Sequence, residues 1–314
     1  RVTASKAING IKEVVSDKIK ELGFANTNLD AYPSLDISQC PALINAVFVG
    51  SNLESVKLPA GKTLESIQVS ASWVGTKKSL KEINLSDAEG LKSILITDAI
   101  LTEVDLSKQT DLETLCIYNP NKIGLRKIIG AKGLMKITRL NLNGNNLGFD
   151  QIPNRVIDEA PLEQFQYAQS YYYVDKSRIN NNTIDLSHLL KTKGISTSEQ
   201  KSSFTWLWKA KKEDKLSVVP AQYVKEENGK FTIDPTPLNT ENFYVAVRIT
   251  NPGYPEIGSK GKNYLQSYNL YITKGTTNGV ESVSTKEGVN ISITADGVQL
   301  NTESPNRVSI FNVN

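Results

Sequence analysis

Residues 80–119 read LKEINLSDAEGLKSILITDAILTEVDLSKQTDLETLCIYN, and their rhythm decides the fold. One phrase recurs: Leu80-x-x-Ile83-x-Leu85, Leu91-x-x-Ile94-x-Ile96, Leu101-x-x-Val104-x-Leu106 and Leu112-x-x-Leu115-x-Ile117. A fuller version follows at Ile137-x-x-Leu140-x-Leu142-x-x-Asn145-x-Leu147. Within each phrase the apolar residues alternate over a short strand, so one face of that strand is apolar. One such strand cannot bury its own ridge; stacked copies can, and they then share a continuous core.

Degenerate phrases extend the pattern upstream: Tyr32-x-x-Leu35-x-Ile37, Leu43-x-x-Ala46-x-Phe48, Leu53-x-x-Val56-x-Leu58 and Leu64-x-x-Ile67-x-Val69. Alternate starts, such as 32 and 53 or 91 and 112, are 21 residues apart, so two phrases make one coil. A fixed period of this length is a solenoid signature. Two breaks interrupt it. One spans Ser70 to Ser79 and holds Trp73; the other, between 112 and 137, carries Pro120, Gly124, Gly130 and Gly133.

These phrases resemble the leucine-rich-repeat family. Asn145 stands where that family places the asparagine that caps turn backbone, while Ala88, Ala99 and Gln109 hold that place in earlier phrases. The alternation is most similar to the short repeats of bacterial internalin-like surface proteins. That resemblance implies a β-solenoid with coils of about 21 residues over 32–153. It also implies a non-enzymatic role in protein recognition or adhesion.

Residues 1–31 read as a cap on the open end of the array. Ile8, Ile11, Val14, Val15, Ile19 and Leu22 fall near helical spacing, although Gly10 opposes a helix and a strand-rich cap is the alternative. Arg1 to Ser5 is not a signal peptide and reads as the start of a mature chain. Pro153 is expected to end the solenoid.

From 162 to 274 the period changes to about seven strand-like segments separated by turn residues, the pattern of a β-sandwich. Trp206, flanked by Phe204 and Trp208, is the expected pin, facing Phe243, Val245, Val247 and Ile249. This half resembles an immunoglobulin-like domain. Phe243 and Val245 replace that family's corner tyrosine and cysteine, so its disulfide and corner hydroxyl are missing. Residues 280–314 alternate again and resemble the start of the C-terminal β-domain that sorts secreted proteins in Bacteroidetes, without its proline-asparagine-proline signature. That resemblance implies a secreted or outer-surface protein.

Composition narrows the chemistry. A net charge of +3 gives no field that would favour nucleic acid or an anionic membrane. No apolar run reaches the roughly 18 residues of a bilayer span. A single histidine, His188, makes zinc sites and histidine-based catalysis hard to build. Asp185, Ser187 and His188 share one short stretch, whereas a triad draws its members from separate segments. Cys40 and Cys116 fall three coils apart, about 15 Å at ~4.8 Å per coil, too far for a disulfide. No metal or phosphate motif is present, so no cofactor is expected.

What remains is binding on the concave face, where the strand series starting at 64, 91, 112 and 137 points Gln68 and Ser70, Leu95 and Thr97, Cys116 and Tyr118, and Arg139, Asn141 and Asn143 outward. Exposed apolar, aromatic and arginine side chains suit a protein ligand. A monomer binding a protein is the reading; the alternative is a carbohydrate-binding accessory protein using Trp73, Tyr171, Tyr172 and Tyr173.

Overall fold

The computed structural model describes residues 2–4, 11–25, 32–71, 79–119, 124–156, 160–273, 283–284, 289–294 and 297–302. The first strands are β1 (Val2–Ala4), β2 (Glu21–Ala25), β3 (Ser34–Asp36), β4 (Asn45–Ser51), β5 (Ser55–Lys57), β6 (Ser66–Ala71) and β7 (Glu82–Ile83). They continue as β8 (Ser93–Thr97), β9 (Glu103–Asp105), β10 (Thr114–Tyr118), β11 (Lys127–Ile129), β12 (Arg139–Asn141) and β13 (Phe165–Gln166). Strands β1, β2, β4, β6, β8, β10, β12 and β13 form one long parallel sheet. The other phrase of each coil forms short parallel sheets, β3-β5-β7 and β9-β11.

The chain is therefore a β-solenoid with two strand series per coil, and the register shows why. Leu22, Ala46, Ile67, Ile94, Leu115, Leu140 and Phe165 are successive partners in the long sheet, and each is buried. The coil length is less regular than the phrases suggest. Steps along the row Glu21, Asn45, Ser66, Ser93, Thr114 and Arg139 are 24, 21, 27, 21 and 25 residues. The mean is close to 24, and the coil of 21 holds only where no insertion falls. The break between 112 and 137 hides a regular half-coil: Leu125-x-x-Ile128 supplies β11, paired with β9.

Buried amides staple successive coils. Asn145 donates to the carbonyls of Ile117 (2.7 Å) and Leu142 (2.9 Å), and its Oδ1 accepts from the Leu125 N–H and the Asn119 amide. Gln109 donates to the carbonyls of Leu85 and Ala88 in the same way. Buried backbone groups that the short strands leave unpaired thus find partners. On the surface, acids of one coil pair with lysines of the next: Asp36–Lys57, Glu65–Lys92 and Glu103–Lys127 at 3.2, 2.9 and 3.2 Å. Such exposed pairs add little stability, but they favour this coil-to-coil register.

The helical reading of the first residues fails over the described part, 11–25. Val14 N–H donates to Asp36 and Asp36 N–H donates to Lys12, so residues 12–14 pair with β3, and β2 pairs with β4. An open solenoid end exposes unpaired strand edge and apolar ridge, and pairing with it outweighs local helical spacing. Residues 5–10 lie outside the described part. Nor does the parallel sheet stop at Pro153. Leu162-x-x-Phe165-x-Tyr167 repeats the phrase with aromatics and adds β13.

Beyond it come β14 (Ile179–Asn180), β15 (Thr183–Asp185), β16 (Lys191–Thr192), β17 (Gln200–Lys201), β18 (Ser203–Lys209), β19 (Ser217–Val218), β20 (Val224–Glu227) and β21 (Lys230–Ile233). Then follow β22 (Asn242–Thr250), β23 (Leu265–Gln266) and β24 (Leu270–Thr273). Sheet β14-β15-β21-β20 faces the sheet built on β18 and β22, all antiparallel. Phe231 of β21 lies 4.7 Å from the Phe204 ring and 5.3 Å from Trp206. Trp206 opposes Val247, and Phe243, Val245, Val247 and Ile249 are fully buried. The buried side chains of solenoid and β-module form one contiguous cluster from Leu22 to Ile272. The solenoid's last coil is thus covered by the β-module. Further along, β25 (Val283–Ser284), β26 (Val289–Thr294) and β27 (Gly297–Thr302) pair antiparallel.

Candidate functional site

The outward side of the long sheet is built from rows. One runs Asn45, Ser66, Ser93, Thr114, Arg139; the next runs Val47, Gln68, Leu95, Cys116, Asn141, Gln166; a third includes Ser70, Thr97 and Tyr118. Over β4, β6, β8 and β10, no outward position holds a charged side chain. The short strands are the opposite, with Asp36, Lys57, Glu82, Glu103, Asp105 and Lys127. Four successive strands of the long-sheet face are thus free of charge in a chain that is 22% charged, with Glu21 of β2 and Arg139 of β12 flanking them in the same row. Val47 and Tyr118 are exposed apolar groups, at 36% and 37%, and Leu95 is half-buried between them in the sheet.

The predicted residues fall as follows. Gln68, Leu95, Thr97 and Asn141 are half-buried and outward, Tyr118 and Arg139 are exposed. Asn143 is a clamp and not a free contact: its amide donates to Gln166 (3.1 Å) and its Oδ1 accepts from the Ala168 N–H (2.7 Å). Cys116 has an outward position, yet its neighbours Leu95 and Asn141 leave it only 8% exposed. Burial pushes its thiol pKa up, and that of Cys40 likewise. Both cysteines are free thiols. Trp73 lies outside the described residues.

Sequence reasoning missed the two ends of this face. Val47 belongs to a coil whose phrase carries Ala46 in place of leucine. At the other end Arg139 and Asn141 line a depression of about 360 Å3 with Glu163, Gln164 and Gln166, residues around β13. The signal was Phe165 and Tyr167 at the leucine positions, with Gln169 in the capping place. Gln169 does cap, donating to the carbonyls of Leu142 and Tyr167.

The aromatic run divides three ways. Tyr172 is buried, and its hydroxyl meets His188 Nε2 at 2.9 Å. Tyr173 lies under the Arg126 guanidinium, 4.4 Å from the ring centroid. Tyr171 is exposed and stacks on exposed Tyr268 at 5.0 Å. His188 sits in a 3-10 turn (Ser187–Leu189) and is half-buried. Its pKa is lowered by burial. Asp185 caps the Ser187 N–H of that turn, so its carboxylate is spent on the backbone. Among the described residues no group of three or more His, Cys, Asp or Glu is placed to hold a metal ion. Nor, among the described residues, is any helix long and apolar enough to cross a membrane.

No protein-family model matches the chain, and no curated protein does. Solved structures that resemble it come from Listeria monocytogenes. An internalin-like protein is 14% identical with a TM-score of 0.37, covering 82% of this chain and 88% of its own. InlP is 15% identical with a TM-score of 0.29, over 82% of this chain and 89% of its own. A functional domain of InlJ that includes a cysteine ladder is 12% identical with a TM-score of 0.28, over 84% of this chain and 69% of its own. At these scores the likenesses are too distant to add to the strand register, on which the β-solenoid assignment rests.

Proposed function

We propose that this chain is a non-enzymatic, secreted or outer-surface recognition protein that captures a protein partner on the outward, concave face of its long sheet. The charge-free stretch across β4, β6, β8 and β10 carries this reading. Interface cores are depleted of charged residues and hold aromatic and apolar anchors within a polar rim. Leu95 and Tyr118 serve as anchors, with Gln68, Thr97 and Asn141 as neutral polar contacts. Arg139 is the rim charge at one end. The β-module is an immunoglobulin-like spacer that seals the solenoid, and residues 280–314 belong to a sorting domain.

A charge placed in the centre of this face tests the idea. Partner capture from surface extracts, quantified by crosslinking and pull-down, is expected to fall at least tenfold for Leu95→Glu. It is expected to stay unchanged for Glu82→Lys on the short strands. Equal capture by both variants, with native circular dichroism, refutes the assignment. A second reading, glycan binding, is favoured by the exposed Tyr171–Tyr268 stack; it predicts glycan-array signal that Tyr171→Ala removes.

A further inference from the structure

We propose that His188 is a pH-sensitive latch between the solenoid and the β-module, one that loosens when mild acid charges its ring. His188 sits in the turn Ser187–Leu189, which packs on the turn Phe149–Gln151 that follows β12. The contact leaves no spare room: a Cβ on Gly148 would stand 2.7 Å from Asp150 Oδ1, 2.9 Å from Tyr172 Cε2 and 3.1 Å from Leu189 Cδ2. Leu189 is fully buried. The ring meets the Tyr172 hydroxyl through Nε2 at 2.9 Å, and Tyr172 is buried in the segment that follows β13.

The hydrogen bonds suit a neutral ring and not a charged one. Nδ1 is sealed from solvent and has no hydrogen-bond partner among the described residues. A neutral imidazole can leave that nitrogen bare, whereas the cation carries N–H on both nitrogens. Its Nδ1–H would be a buried donor with no acceptor, which bears its full desolvation cost. Burial keeps the Tyr172 hydroxyl protonated, so its oxygen supplies no counter-charge.

The surrounding charges set the direction. Burial pushes the His188 pKa below its ordinary 6.5; Asp150 and Asp185 pull it back, and Arg178 adds to the fall. Lys132 shares the Asp150 charge, Lys230 of β21 opposes Asp185, and Glu103, Arg126, Lys127 and Asp175 line the adjoining cleft. Asp175 and Asp185 are held below the usual carboxylate range by hydrogen bonds from Ser177 and Ser187. Lys132, with a pKa of about 8, is already charged below neutral pH. None of these three switches in mild acid, and the chain has no other histidine. With the docked pKa below the exposed one, the opened junction binds more protons between the two values. The closed contact therefore weakens as pH falls through that window.

A single histidine gives one set of imidazole signals, so NMR titration of the full chain tests the latch without any variant. Its midpoint is expected below 6.5. Hydrogen exchange, corrected for its intrinsic pH dependence, reads the contact itself. Protection of the peptides holding Tyr172 and Leu189 is expected to fall about three- to tenfold from pH 7.0 to 5.5, while that of β6 and β8 holds. His188→Gln keeps a donor for Tyr172 but no titrating ring, and is expected to abolish this pH dependence. A midpoint at or above 6.5, protection that stays constant over the range, or an unchanged pH dependence in His188→Gln overturns the proposal.

Discussion

Lys132 offers a test of how solenoid and β-module are joined. Its ammonium is mostly buried and donates to the Ile152 carbonyl at 2.7 Å and to Asn154 Oδ1 at 3.0 Å. Thr192 Oγ1 and the Tyr254 hydroxyl, both from the β-module, lie 3.4 and 3.5 Å away. Tyr254 is fully buried, stacks on Phe149 at 5.5 Å and bonds the Ile152 and Pro153 carbonyls. Burial pushes the Lys132 pKa down from 10.5 to about 8, with the Asp150 charge opposing. Lys132 is a base whose folded pKa lies below its unfolded one, so the unfolded chain holds more protons between the two values. Stability therefore rises with pH across that window. At neutral pH the penalty is about 3 kcal/mol, and about 1.3 kcal/mol of it is relieved between pH 7 and pH 9. Urea unfolding followed by the fluorescence of Trp206 and Trp208 reads this out when wild type and Lys132→Met are compared at each pH. Other lysines and tyrosines cancel in the difference. Wild type is expected to gain on the variant by about 1 kcal/mol from pH 7 to 9. The unpaired carbonyl and amide oxygens left by methionine add a pH-independent offset. A difference that stays flat with pH refutes the lowered pKa of the Lys132 ammonium.

Two further outcomes follow from the coil geometry and the thiols. Asn145→Ala removes four hydrogen bonds from a fully buried position and is expected to cost about 3 kcal/mol in urea unfolding; a loss under about 1 kcal/mol contradicts the stapling role. Cys40 and Cys116, both buried with raised thiol pKa values, are expected to react with a disulfide reagent at pH 8 only as fast as the chain opens. Labelling of either within seconds in native buffer contradicts their burial.

The sequence was most legible where the fold repeats. Each coil meets a copy of itself on either side, so Ile67, Ile94 and Leu115 solve one packing problem and bear one pattern. Half-coils that solve it differently were harder to see. β11 is followed at once by Gly130, whose φ of 81° ends the phrase, and β13 places aromatics at leucine positions, where Tyr167 meets Tyr254 edge-on and Phe165 packs against Tyr167. At the N-terminus the apolar spacing of Ile11, Val14 and Ile19 fits a helix as well as a coil, and only the unpaired edges of β3 and β4 decide between them.

The candidate sites divide along the same line. Once the register is known, the outward rows are every second residue, and the fold places little demand on them. In an array whose other face alternates acids and lysines, a run of Ser, Thr, Gln, Leu and Tyr is not required by packing, so the missing charge is informative about binding. The junction has no such code. Lys132, Asp150, Tyr172, His188 and Tyr254 meet where the repetition ends, and their sequence separations follow no period. Local spacing could not bring Arg126 and Arg178 into one cleft, because that depends on how the last coil is sealed. A solenoid therefore exposes its repeated face to sequence reading and hides whatever is built at its end.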